Sequence, residues 1–173
     1  VFGGTGVLTV EGTIQTSYSG YTVHEFRYDP ENASNGQTIY NVTVTNSSIT
    51  ADFLIIAGGG GGGKAKTGGS DEPGGGGAGE LIYQTNIVFN VGTYEFAVGD
   101  GGSPRTNNIA NTHTGGYSSS ILAGSGITLN NTYNSNVNGY VANGGQSGGV
   151  SGNIVPNPHG GSGGGTAHNT PNA

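Results

Sequence analysis

The chain contains no cysteine, no methionine and no tryptophan. Without cysteine, disulfides and thiolate metal sites are excluded and no redox compartment can be read from thiols. Charge is almost as scarce: Asp, Glu, Lys and Arg make up 8% of the residues, against about 25% in ordinary soluble domains. Only Arg27, Lys64, Lys66 and Arg105 are basic, on a net charge of −6. No patch can track a phosphate backbone, so nucleic acid is not an expected partner. No apolar run approaches the roughly 18 residues of a membrane-spanning helix, so membrane insertion is not expected either. Helix signals are also missing. No stretch keeps apolar side chains at i, i+3, i+4 and i+7 without a break by Gly or Pro.

What the sequence has instead is glycine, 38 of 173 residues, several times the usual share of about 7%. Disorder usually combines high net charge with few β-branched residues. Here Val, Ile, Thr and Tyr fall in short alternating runs, which points to order. Strand-like segments begin with GVLTVEGTIQTSY (6–18) and GYTVHEFRY (20–28), joined by a Ser19-Gly20 turn. Asn35-Gly36 is a strong hairpin signal before TIYNVTVT (38–45), which sets Ile39 opposite to Tyr40, Val42 and Val44. The continuous apolar run Phe53–Ala57 reads as a strand buried on both faces. Further on, 80–91 and 93–99 suggest a hairpin-like pair, and 118–123 with 127–131 suggest another.

All but six of the glycines lie between Gly58 and Gly165. The first run ends in Lys64, and Gly58–Gly63–Lys64 satisfies the G-x-x-x-x-G-K spacing of a phosphate loop after a strand. The next residue is Ala65, so the hydroxyl that holds magnesium is missing. Gly68, Gly69 and Pro73 then deny the helix whose first amides complete such an anion site. A flexible spacer is a second reading, but glycine returns repeatedly beside β segments. The third reading is ordered glycine: extended helices of three residues per turn, which form no hydrogen bonds within themselves. With no Cβ to hold them apart, several such helices can bond side by side. The runs Gly58–Gly63, Gly74–Gly77, Gly144–Gly149 and Gly160–Gly165 supply them. Only an array that pairs nearly every backbone group offsets the entropy of ordering so much glycine.

Catalytic and metal-binding signals are thin. His24 reads as a half-buried strand histidine. His113, His159 and His168 sit in Gly/Asn-rich segments with no i, i+4 partner. Asp71-Glu72 lacks the alternate spacing of a calcium loop and reads as a solvated pair, and Asp100 stands apart from it. No Ser/His/Asp order carries a nucleophile elbow. The expectation is a protein that is not an enzyme, with no catalytic residue, cofactor or metal.

The series YTVHEF, ADFLIIAGGGGGG, PGGGGAGE, TYEFAVGDGG, GGYSSSI, NGGQSGG and GGSGGG resembles the glycine-rich domain of phage tail fibres and other virion surface proteins. TYEFAVGDGG followed by GGYSSS after a double glycine run is the most specific part. Glu80 departs from the small or apolar residue common in that pattern, and Asn is unusually frequent. The resemblance covers roughly Tyr21 to Gly165. It implies packed polyglycine II helices, display on a particle and adhesion to a host surface.

The expected fold is therefore all-β with an irregular glycine-rich region: a small β-sandwich-like unit plus packed polyglycine II helices, with little or no α-helix. The expected organisation is an N-terminal β unit at 1–57, a glycine-rich domain at 58–165 and a tail at 166–173, with one continuous domain as the alternative. The expected role is a virion surface structural protein, a tail-fibre or fibre-tip module for host attachment. The alternative is a self-assembling extracellular filament subunit or a decoration protein, its N-terminal strand donated to a neighbour. Expected partners are copies of itself, as a trimer or polymer, and a host glycan or protein. Recognition belongs to loops on a rigid scaffold. The candidates are Lys64, Lys66, Asp71 and Glu72; Arg105, Asn107, Asn108 and His113; Tyr133, Asn136 and Tyr140; and His159. Such tyrosines either serve recognition or cap a small β core, and composition does not separate the two.

Overall fold

The computed structural model describes residues 7–10, 14–18, 20–63, 74–104, 115–129 and 137–148. Among them there is no helix. Nine strands follow in order: β1 (Val7–Val10), β2 (Ile14–Tyr18), β3 (Tyr21–Glu25), β4 (Gln37–Thr45), β5 (Ile49–Ile56), β6 (Leu81–Phe89), β7 (Gly92–Gly99), β8 (Ser119–Ala123) and β9 (Gly139–Ala142). The chain is all-β. It forms two compact units, each assembled from three segments: 1–55, 82–98 and 120–141 in the first, 56–81, 99–119 and 142–173 in the second. The first crossing lies close to the glycine boundary at 57/58, but the chain then returns to the first unit twice.

In the first unit, β1-β4-β7-β8-β9 form a five-stranded sheet, while β2-β3 and β5-β6 are two-stranded. β1 runs antiparallel to β4 with Leu8 opposite Val44 and Val10 opposite Val42. β7 runs antiparallel to β8 with Phe96 opposite Ile121. Alternation in β4 buries Val42 and Val44 completely and leaves Ile39 exposed, as the pattern predicts. Aromatic side chains fill the space between the inner faces of two sheets. Phe53 on β5 meets Tyr140 on β9 edge-on at 4.8 Å, and Phe89 on β6 meets Tyr94 on β7 at 5.3 Å. Such pairs contribute about 0.5–1.5 kcal/mol each beyond burial.

The turns carry the expected chemistry. Asn35 and Gly36 have φ of 53° and 77°, the doubly left-handed form of a two-residue hairpin, with Ser34 bridged to Gln37. β2 and β3 form the hairpin expected around Ser19-Gly20, with Tyr18 opposite Tyr21.

Three expectations are corrected. β6 and β7 belong to different sheets, so 80–91 and 93–99 are not a hairpin pair. Residues 127–129 form no strand; β8 pairs with β7 and β9 instead. The run Phe53–Ala57 is buried on one face only: Ile55 and Ala57 are inside, while Leu54 and Ile56 are 55% and 57% exposed. A continuous apolar run hides alternation, because its outward residues are as apolar as its inward ones.

Candidate functional site

In the second unit, short extended segments lie side by side and bond through their backbones at intervals of three residues. Ala57, Gly60 and Gly63 donate to Glu80, Gly77 and Gly74 at 2.8–3.0 Å. Gly145 and Gly148 donate to Gly58 and Gly61, both at 2.8 Å. Gly58 donates to Tyr117, Gly102 to Gly59, and Gly77 to Gln146. The spacing leaves no room for side chains on the facing sides. A methyl group on Gly60 would overlap the Gln146 carbonyl, and one on Gly144 the Gly116 carbonyl. Facing away, a methyl on Gly62 or Gly75 would meet nothing within 4 Å. Ala78, three residues after Gly75 and thus on the same side, is the exposed alanine of that run.

Glu80 ties two segments together. Its Oε2 accepts hydrogen bonds from the backbone N–H and the Nδ2 of Asn143, at 2.8 and 2.9 Å. The carboxylate thereby joins two segments 63 residues apart. Sequence reasoning saw the unusual residue but not its partner, because nothing local links the two.

Chain direction in this unit decides where the loops leave. Residues 143–148 run the same way as 58–63, and 74–80 run the opposite way. Gly58 abuts Asp100 and Gly61 abuts Ser103, so 99–103 also follows 58–63. Gly99 lies against the Tyr117 and Ser118 carbonyls, whereas Gly115 lies nearest Gly145 and Gln146, so 115–118 runs back. Gly63, Gly74, Pro104, Gly115 and Gly148 are thus brought to one end. Two of the sequence-predicted loops, with Lys64, Lys66, Asp71 and Glu72 in one and Arg105, Asn107, Asn108 and His113 in the other, start and finish there. The segment holding His159 departs from the same end. These residues themselves lie outside the described ones.

The third predicted loop is based elsewhere, in the first unit. Asn138 holds its base: its Oδ1 accepts from the Leu129 N–H at 2.9 Å, and its Nδ2 donates to the Ile127 carbonyl. Tyr133 and Asn136 lie outside the described residues, and Tyr140 is a correction. At 2% exposure it is a core residue packed on Phe53, so its ring cannot meet a partner. Burial also pushes its hydroxyl pKa up.

His24 is half-buried on β3, its Nδ1 has no hydrogen-bond partner among the described residues, and desolvation lowers its pKa. The Asp100 carboxylate accepts from the Gly101 N–H at 2.7 Å. Among the described residues no three His, Asp or Glu side chains gather as a metal site.

A family model described as glycine-rich domain matches residues 33–173, most of the chain. The chain belongs to the glycine-rich domain family. Comparison with curated proteins and with solved structures gives no match. In this glycine-rich domain the glycines at the segment contacts act as backbone spacers, since a methyl group on Gly60 or Gly144 would overlap a neighbouring carbonyl.

Proposed function

We propose that this glycine-rich domain is a virion surface module, a phage tail fibre or fibre tip, that attaches to a host glycan or protein through loops mounted on packed polyglycine II helices. The observation that carries this reading is the common end shared by Gly63, Gly74, Pro104, Gly115 and Gly148. A scaffold without side chains at its contacts holds the loop ends in place, and loops on a rigid scaffold are where recognition usually sits. The three-residue interval of the backbone bonds supports helices of three residues per turn. The low charge suits recognition by neutral hydrogen-bonding groups rather than by long-range steering. Its place of action is the surface of a particle, outside the cell.

The test replaces Lys64, Lys66, Arg105, Asn107 and Asn108 with alanine together. Adsorption to host cells of particles bearing the variant is expected to fall at least tenfold, with the melting temperature unchanged. Adsorption at the parental level sinks the assignment. The alternative of a donated N-terminal strand has no observation in its favour, since β1 is paired with β4 of its own chain.

A further inference from the structure

The two-stranded sheet β5-β6 packs one face into the core through Ile55, Ile82 and Phe89. Its other face carries exposed apolar side chains. Leu54 and Ile56 on β5 are 55% and 57% exposed, and Leu81 and Tyr83 on β6 are 58% and 59% exposed. Ala57 N–H donates to the Glu80 carbonyl at 3.0 Å. Continuing that antiparallel register by single residues sets Ile56 opposite Leu81 and Leu54 opposite Tyr83. The four side chains form one contiguous apolar patch, bounded along the ribbon by Asp52 and Thr85. Exposed single apolar residues need no explanation, but a contiguous patch marks an interaction surface.

We propose that this face is the interface between two copies of the chain. Area argues for it first. Four half-exposed large side chains offer on the order of 100 Å² each, roughly 400 Å² in all. A standard interface takes about 800 Å² per partner, a little over half of it apolar, so the patch matches the apolar share one partner must supply. Charge argues the same way. The charged residue of these two strands is Asp52, and its Oδ1 already accepts from the Asn86 N–H at 2.8 Å. A basic partner finds little to attract it, and two copies meet without a like-charge penalty at the centre despite the chain's net charge of −6. Shape is the third argument. An antiparallel ribbon has a local two-fold relation between its strands, and a second copy can lay the same face across it as aligned sheets do. The inner face is anchored in the core, so the outer one is held in place before a partner arrives.

This inference is independent of host attachment and is tested without host cells. Sedimentation over the micromolar to millimolar range should show reversible self-association of the whole chain. Leu54→Thr with Tyr83→Thr, which keeps strand propensity, should raise the dissociation constant at least tenfold with an unchanged circular dichroism spectrum. A wild-type chain that stays monomeric throughout overturns the proposal, and so does a double variant that associates as wild type does. A second measurement covers a variant that fails to fold. The chain has no cysteine, so Leu54→Cys introduces a unique thiol. Its alkylation should slow as protein concentration rises, while that of Ser48→Cys, in the exposed turn before β5, should not. Rates at Leu54→Cys that ignore concentration also overturn the interface.

Discussion

At the scale of single residues, two glycines in the same run behave in opposite ways. Gly60→Ala drives a methyl into the Gln146 carbonyl, a backbone atom that cannot swing aside, and should cost at least about 3 kcal/mol in urea unfolding. Gly62→Ala enters open space without a left-handed φ and should be neutral or stabilise by about 0.5 kcal/mol, because alanine restricts the unfolded chain. Equal effects of the two would contradict the three-residue interval. Glu80→Ala removes both hydrogen bonds to Asn143 and should cost about 2 kcal/mol. His24 provides a pH signature. Its folded pKa lies below the ordinary 6.5 because burial disfavours the cation, so the unfolded chain binds more protons as the medium acidifies. The His24 contribution is therefore fully present above pH 6.5 and declines as pH falls below 6.5 towards the lowered folded value. Unfolding free energies measured on both sides of that window should differ less in His24→Gln than in the parent.

At the scale of elements, the turns and the strand alternation were legible and the strand partners were not. Asn35-Gly36 declares itself because few residues tolerate two successive positive φ values. Asn35→Ala should cost about 1 kcal/mol, read as a shift in the unfolding midpoint with unchanged slope. Val42 and Val44 were legible because polar residues alternate with them in β4. β6 and β7 looked like a hairpin because they are close in sequence, yet each finds its partner elsewhere, β6 with β5 and β7 with β8. Asn86, at φ 57° and held by Asp52, interrupts β6 in a way that no periodicity displays. Tyr140 was ambiguous for a similar reason. Its ring is placed by Phe53, 87 positions earlier in the chain, and the local sequence around it is rich in Asn and Gly. The candidate loops were legible as breaks between glycine runs. Their common base was not, since it depends on the direction of each segment in the second unit.

At the scale of the molecule, neither unit is a continuous stretch of chain. A fragment ending at residue 57 would lack β7, β8 and β9, the strands that complete the sheet containing β4. It is expected to be unfolded by circular dichroism, and a folded fragment would contradict the interleaving. Truncation after Ala142 removes the donors Gly145 and Gly148, both buried, and should abolish cooperative melting of the second unit while spectra retain strand signal from the first. The three-residue interval has one more consequence, which concerns how such a chain can change length. A glycine run carries a frame, much as a coding sequence does. Adding one or two residues inside Gly58–Gly63 turns the donors at Gly60 and Gly63 away from Gly77 and Gly74. Adding three advances the run by a whole turn and restores every facing.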